Sequence, residues 1–140
     1  MQLLTRFHEA QKTICENALA EIKNGHKRTH WMWFIFPQLK GLGHSEKAQY
    51  YGIDGLTEAK EYLADDVLKT RLITSSQALL ELNTNNANVI FGSPDDMKLK
   101  SCMTLFLIAS NRNPIFQAVL DKFFGGMLDC QTVKLLEEKQ

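Results

Sequence analysis

Two groups of residues in this 140-residue chain have the types and spacing to do chemistry. The first lies in Ser93-Pro94-Asp95-Asp96-Met97-Lys98, where a serine cap, a proline and two acids spell a helix start. Asp95 and Lys98 are three apart and share a helix face, with Ser101 and Cys102 one turn further along. An acid, an amine and a hydroxyl near a helix N-terminus can hold an anionic ligand or move protons. An exposed ion pair on a capped helix is the plainer account of the same pattern. The second group runs from Lys27 to Gly43 and holds both tryptophans. Arginine forks onto phosphate and indole stacks on rings, so Lys27 and Arg28 beside Trp31 and Trp33 suit a ligand carrying both a phosphate and a base. The alternative is a buried tryptophan core whose basic residues reach out to solvent. Gln38 either reads a ligand edge or satisfies backbone groups. His30 is a candidate acid or base, although one histidine among apolar neighbours is more often structural.

The totals narrow the classes. Sixteen basic residues balance sixteen acidic ones, so no overall field draws in a nucleic-acid polymer or an anionic membrane. Cys15, Cys102 and Cys130 lie far apart, without CxxC or zinc-ligand spacing, and read as free buried thiols. No metal site and no cofactor are expected. GxxxxGK[ST], GxGxxG, HExxH and GxSxG are all absent. The N-terminus lacks an apolar signal core and the longest apolar run, 31–36, is too short for a bilayer, which gives the expectation of a cytoplasmic protein.

The elements that must position these groups are helical. Leu3, Phe7, Ala10, Ile14, Ala18 and Ile22 form the stripe of an amphipathic helix stopped by Asn24-Gly25, with Arg6 and Gln11 expected on its solvent side. The run 31–36 is apolar on every face, so periodicity leaves helix or strand open, and Pro37 ends any helix there. Further helices are expected from caps at Ser45, Thr57, Asp65 or Asp66, Ser93, Asn113 and Asp129, with a short turn over 87–91 and a fraying charged tail 137–140. With no repeat or linker, residues 1–140 read as a single mainly α domain. About six to eight helices around a central buried aromatic segment are expected.

Several motifs resemble one bacterial family: Arg6-Phe7-x-x-Ala10-Gln11, His30-Trp31-Met32-Trp33-Phe34-Ile35-Phe36-Pro37-Gln38, Gly41-Leu42-Gly43-x-Ser45 and Tyr51-Gly52-Ile53. Phe91-Gly92-x-x-Asp95-Asp96-x-Lys98, Ser101-Cys102-Met103-Thr104-Leu105-Phe106 and Asp129-x-x-Thr132 continue the likeness. On these the chain is identified as a member of the family catalogued as domain of unknown function 1810, sometimes labelled calpastatin-like. That resemblance implies a mainly helical protein and no settled activity. Glu58-Ala59, Asp95-x-x-Lys98, Met103, Phe123 and Thr132-x-x-Leu135 also resemble, more distantly, the YbiA-like, NAD- and ADP-ribose-associated superfamily, whose members cleave N-glycosidic bonds.

Two functions follow as expectations. One is a metal-independent hydrolase of N-glycosidic bonds in a small phosphorylated or nucleotide-like ligand. Asp95, Asp96, His30 and Lys98 would be catalytic, and Lys27, Arg28, Trp31, Trp33, Gln38, Ser101 and Thr104 would bind the ligand. The other is a non-catalytic module for a small anion or a protein. The hydrolase needs the His30 and Asp95 regions to meet at one cleft.

Overall fold

The apolar stripe at the start of the chain forms α1 (Thr5–Lys23), which buries Phe7, Ala18 and Ile22. The computed structural model describes residues 4–138, so Leu3 of the stripe and the tail residues Lys139 and Gln140 lie outside the described residues. Then come α2 (Met32–Ile35), α3 (Glu46–Tyr51), α4 (Gly55–Ala64), α5 (Asp66–Leu80), α6 (Ala87–Phe91), α7 (Asp95–Ala109), α8 (Pro114–Phe124) and α9 (Cys130–Glu138). The fold is all-α; among the described residues the strand-like pairing is an isolated parallel bridge between Leu39 and Ile53.

Helix α7 is the hub. It buries Leu99, Cys102, Met103, Leu105, Phe106 and Leu107, covering most of its circumference, as a helix apolar nearly all round must. It packs against α4, α6, α8 and α9, while α5 packs against α1, α4 and α8. Aromatic rings link these layers: Phe7 meets Tyr62 edge-on at 5.2 Å, Tyr62 meets Phe106 at 5.1 Å, and Phe106 meets Phe116 at 6.1 Å. The central aromatic segment is buried as expected. Trp31 (0 % exposed), Phe36 and Phe91 form a triangle of rings, with Met32 and Ile35 beside it. The open choice there resolves to a single helical turn, and Phe36 leaves it at φ −125° and ψ 71° because Pro37 follows.

Several expectations need correction. Gln11 is buried, donating to the Phe34 carbonyl at 2.7 Å and Tyr62 Oη at 3.1 Å and accepting from Arg71 at 3.3 Å. Ser93 does not cap α7; the Gly92 carbonyl takes the Asp96 N–H and the Asp96 carboxylate takes the Met97 N–H. Helix α4 starts two residues before Thr57, with the Glu58 carboxylate reaching back to the Asp54 N–H at 2.8 Å. Of the three thiols, Cys102 is buried, Cys15 is partly covered and Cys130 is exposed. Ser45, Asp65, Asn113 and Asp129 do cap their helices.

Arg6 also departs from the solvent side. It donates to the carbonyls of Tyr50 at 2.7 Å and Gly52 at 2.8 Å and to Glu58 at 2.9 Å, tying α1 to the end of α3 and the start of α4. Both members of the ion pair are buried, at 8 % and 4 % side-chain exposure. Removing one partner strands the other charge. Arg6→Met is therefore expected to lower unfolding stability by about 3 kcal/mol in a denaturant titration; a loss under about 1 kcal/mol, the size of a surface pair, would contradict the clamp.

Candidate functional site

The segment that joins α1 to α2 is shaped by Glu21, which nothing local in the sequence sets apart from other helical glutamates. Its buried carboxylate accepts from the Arg28 N–H at 2.7 Å, the Thr29 N–H at 3.1 Å and the Trp31 indole N–H at 2.9 Å on Oε1. Oε2 accepts from the Thr29 hydroxyl at 2.8 Å and Asn17 at 3.0 Å. Burial alone would raise its pKa, but the donors from Arg28, Trp31 and Thr29 outweigh that and hold it at about 2. Wrapping residues 28–31 round this anion turns Trp31 inward and leaves Arg28 and His30 exposed.

Lys27 comes next to α7. Its N–H donates to the Ile90 carbonyl at 2.7 Å, and its ammonium, 5.2 Å from the Trp31 ring, pairs with Asp95 Oδ2 at 2.9 Å. Asp95 opens α7, where the helix dipole favours a carboxylate. Lys98 pairs with the other oxygen, Oδ1, at 3.4 Å and lies 5.2 Å from the centre of the Trp33 ring. Lys47 of α3 approaches the same indole at 4.9 Å. Trp33, half-buried, thus sits among cations, whereas Trp31 is sealed in the core.

Trp33 lines a narrow cleft with Met32, Phe36, Gln38, Ala48, Tyr51, Gly52 and Lys98, whose volume of about 10 Å³ is enough for roughly one water. Tyr51 also borders an open shelf of about 570 Å³, together with His44, Glu46, Lys47 and Tyr50. Helix α3 is set against the cleft by the Leu39–Ile53 bridge, and only glycine fits at 52: a Cβ there would lie 2.7 Å from Lys40 Cα.

Of the residues singled out in the sequence, Trp33, Gln38 and Lys98 line the cleft. Asp95 and Lys27 are linked to it through the Lys98–Asp95 and Lys27–Asp95 pairs, and Trp31 lies in the core near Lys27. His30 belongs to the segment that meets Asp95, but it is exposed and has no hydrogen-bond partner among the described residues. Arg28 engages through its N–H alone among the polar contacts of the described residues. Asp96 faces away, accepting from Asn88 at 3.3 Å beside a separate open depression. Ser101 donates to Asp129 at 3.1 Å, and Thr104 donates to the Lys100 carbonyl while accepting the Asp129 N–H, so both hydroxyls are engaged between α7 and α9. Lys47, Tyr50 and Tyr51 were missed; a basic residue and two tyrosines on one short helix were visible, but not what they would face. Among the described residues no three His, Cys, Asp or Glu side chains gather as a metal site, and no helix is long and apolar enough to cross a membrane.

A family model described as protein of unknown function (DUF1810) matches residues 1–136. The chain is similar to a solved structure, that of the conserved hypothetical protein Rv1873 from Mycobacterium tuberculosis. The two share 46 % sequence identity over 96 % of each chain, with a TM-score of 0.93. No curated protein matches.

The Glu21 geometry has a consequence in acid. Its folded pKa of about 2 lies below the ordinary 4.5, so its stabilisation is complete above about pH 4.5 and is lost as pH falls toward 2. The difference corresponds to about 3 kcal/mol. Glu21→Gln is expected to cost about that much at neutral pH and to flatten the stability profile between pH 5 and about 2 in denaturant titrations at stepped pH; a variant as acid-sensitive as the parent would contradict this role.

Proposed function

This chain belongs to the DUF1810 family, and we propose that it binds a small phosphorylated, nucleotide-like molecule at the Trp33 cleft and hydrolyses its N-glycosidic bond. The observation that carries the reading is the convergence of Lys98 and Lys47 on the Trp33 ring beside the Lys27–Asp95 pair. Ammonium groups supply charge for phosphate, and an indole supplies a face for a base. Lys98 holds Asp95 at 3.4 Å, against 2.9 Å for Lys27, and is more exposed than Lys27. It is therefore the cation that an arriving phosphate draws away. That releases Asp95 Oδ1, which would then stabilise positive charge on the sugar or activate water, as carboxylates do in glycoside chemistry.

A non-catalytic small-anion module has one specific observation in its favour. Both Asp95 oxygens are held by lysines and His30 is exposed, so among the described residues no acid–base pair converges on the cleft.

Melting temperature measured against AMP, ADP-ribose, NAD and ribose 5-phosphate tests binding. A ligand at a hundredfold excess over its Kd stabilises the fold by about 2.7 kcal/mol, a rise of several degrees for a chain of this size. The rise is expected to vanish in Trp33→Ala and Lys98→Ala variants that still fold. For the bound compound, Asp95→Asn is expected to retain binding and lose release of the free base. Binding without any base release would leave the non-catalytic module, and no shift with any compound would overturn the ligand.

A further inference from the structure

Chemically alike residues in this fold divide by whether the protein uses their polar atoms. Gln11 uses both ends of its amide, on the Phe34 carbonyl, Tyr62 and Arg71. The Trp31 indole N–H is taken by Glu21, and the Tyr62 hydroxyl by Gln11. Gln38, Trp33 and Tyr51 are the same three residue types, and all three line the cleft. None of their side-chain polar atoms has a hydrogen-bond partner among the described residues. These atoms are not stranded, because no buried side-chain nitrogen or oxygen lacks a partner among the described residues. They are open to whatever enters.

The Gln38 backbone is fixed from outside its own segment. Its carbonyl accepts the Ile53 N–H at 2.9 Å next to the Leu39–Ile53 bridge, and Pro37 precedes it. Gly43 packs close to the amide: a Cβ there would sit 3.4 Å from Gln38 Nε2 and 2.7 Å from Ala48 Cβ, so glycine keeps this turn against α3 and Gln38. An amide on a fixed backbone presents one donor and one acceptor side by side. Phosphate offers acceptors only, and the lysines already serve it. The complement of an amide is a ring edge with a donor next to an acceptor, as in the adenine edge that glutamine pairs with bidentately. The cleft volume agrees with such an edge. At about 10 Å³ it is too small for a ring but admits one exocyclic group, while the ring itself would lie outside against Trp33.

We propose that Gln38 reads the base of the bound molecule, so that the ligand is a nucleotide whose base carries an adjacent donor and acceptor. This rests on the ligand reading above and adds the base to it. Lys47 lies 4.9 Å from the centre of the Trp33 ring and is exposed, so a base stacking on that face would displace it into solvent.

The test is calorimetric titration of the parent, Gln38→Met and Gln38→Glu with AMP and with ribose 5-phosphate. The parent is expected to bind AMP more tightly. Gln38→Met is expected to bind AMP roughly tenfold or more weakly, the loss of one bidentate pair, with ribose 5-phosphate unchanged. Gln38→Glu keeps the shape, replaces the donor with an acceptor, and is expected to weaken AMP in the same way; it decides the matter should the methionine variant not fold. If the variants bind AMP as the parent does, or lose both compounds alike, Gln38 does not read a base. Equal parent affinity for both compounds overturns base reading while phosphate binding stands. If the parent binds neither compound, this inference fails, whereas the ligand reading falls only if ADP-ribose and NAD also leave the melting temperature unmoved.

Discussion

Glu21 lies near the end of α1, 7 % exposed, with donors on both of its carboxylate oxygens. A bare carboxylate at such a depth would cost several kcal/mol, so the anion is tolerable only while residues 28–31 fold round it. That requirement sets the path of the chain into the aromatic run. It draws the Trp31 indole inward, positions Lys27 to reach Asp95 across the start of α7, and leaves Trp33 at the margin where Lys98 and Lys47 meet it. Two tryptophans one residue apart thereby take different roles. One completes the core and the other faces the cleft.

A second buried anion completes the arrangement. Glu58 holds Arg6, and Arg6 in turn takes the Tyr50 and Gly52 carbonyls, which keeps the end of α3 against α1. With the Leu39–Ile53 bridge and the close approach at Gly52, this places Lys47 and Tyr51 opposite Trp33. The cleft is built where three separated stretches meet: the aromatic run, α3 and the first turn of α7.

Local signals in the sequence were legible. The stripe of α1, the caps at Ser45, Asp65, Asn113 and Asp129, and the stop before Pro37 all rest on interactions within a few residues, and the residue types alone announce them. What escaped was long-range. Gln11 and Arg6 look like helix-surface polarity until partners 23 to 60 residues away, such as Phe34, Glu58 and Arg71, are known. Glu21 looks like any helical glutamate. The Asp95–Lys98 pair could be read from its spacing, but its third member, Lys27, could not, because that contact depends on how 28–31 wraps. Ser101 and Thr104 are expected at the ligand, but their hydroxyls are engaged by Asp129, which lies on the approach to α9.

The claim that Trp31 is structural while Trp33 faces a ligand can be tested at the two indole N–H groups themselves. In a ¹⁵N-labelled sample the chain gives two indole signals, assigned with a Trp33→Phe variant. Titration with AMP should shift the Trp33 signal in a saturable way and leave the Trp31 signal, bonded to Glu21 and slow to exchange with solvent, where it is. A titration that moves only Trp31, or moves neither signal at millimolar AMP, would contradict the account.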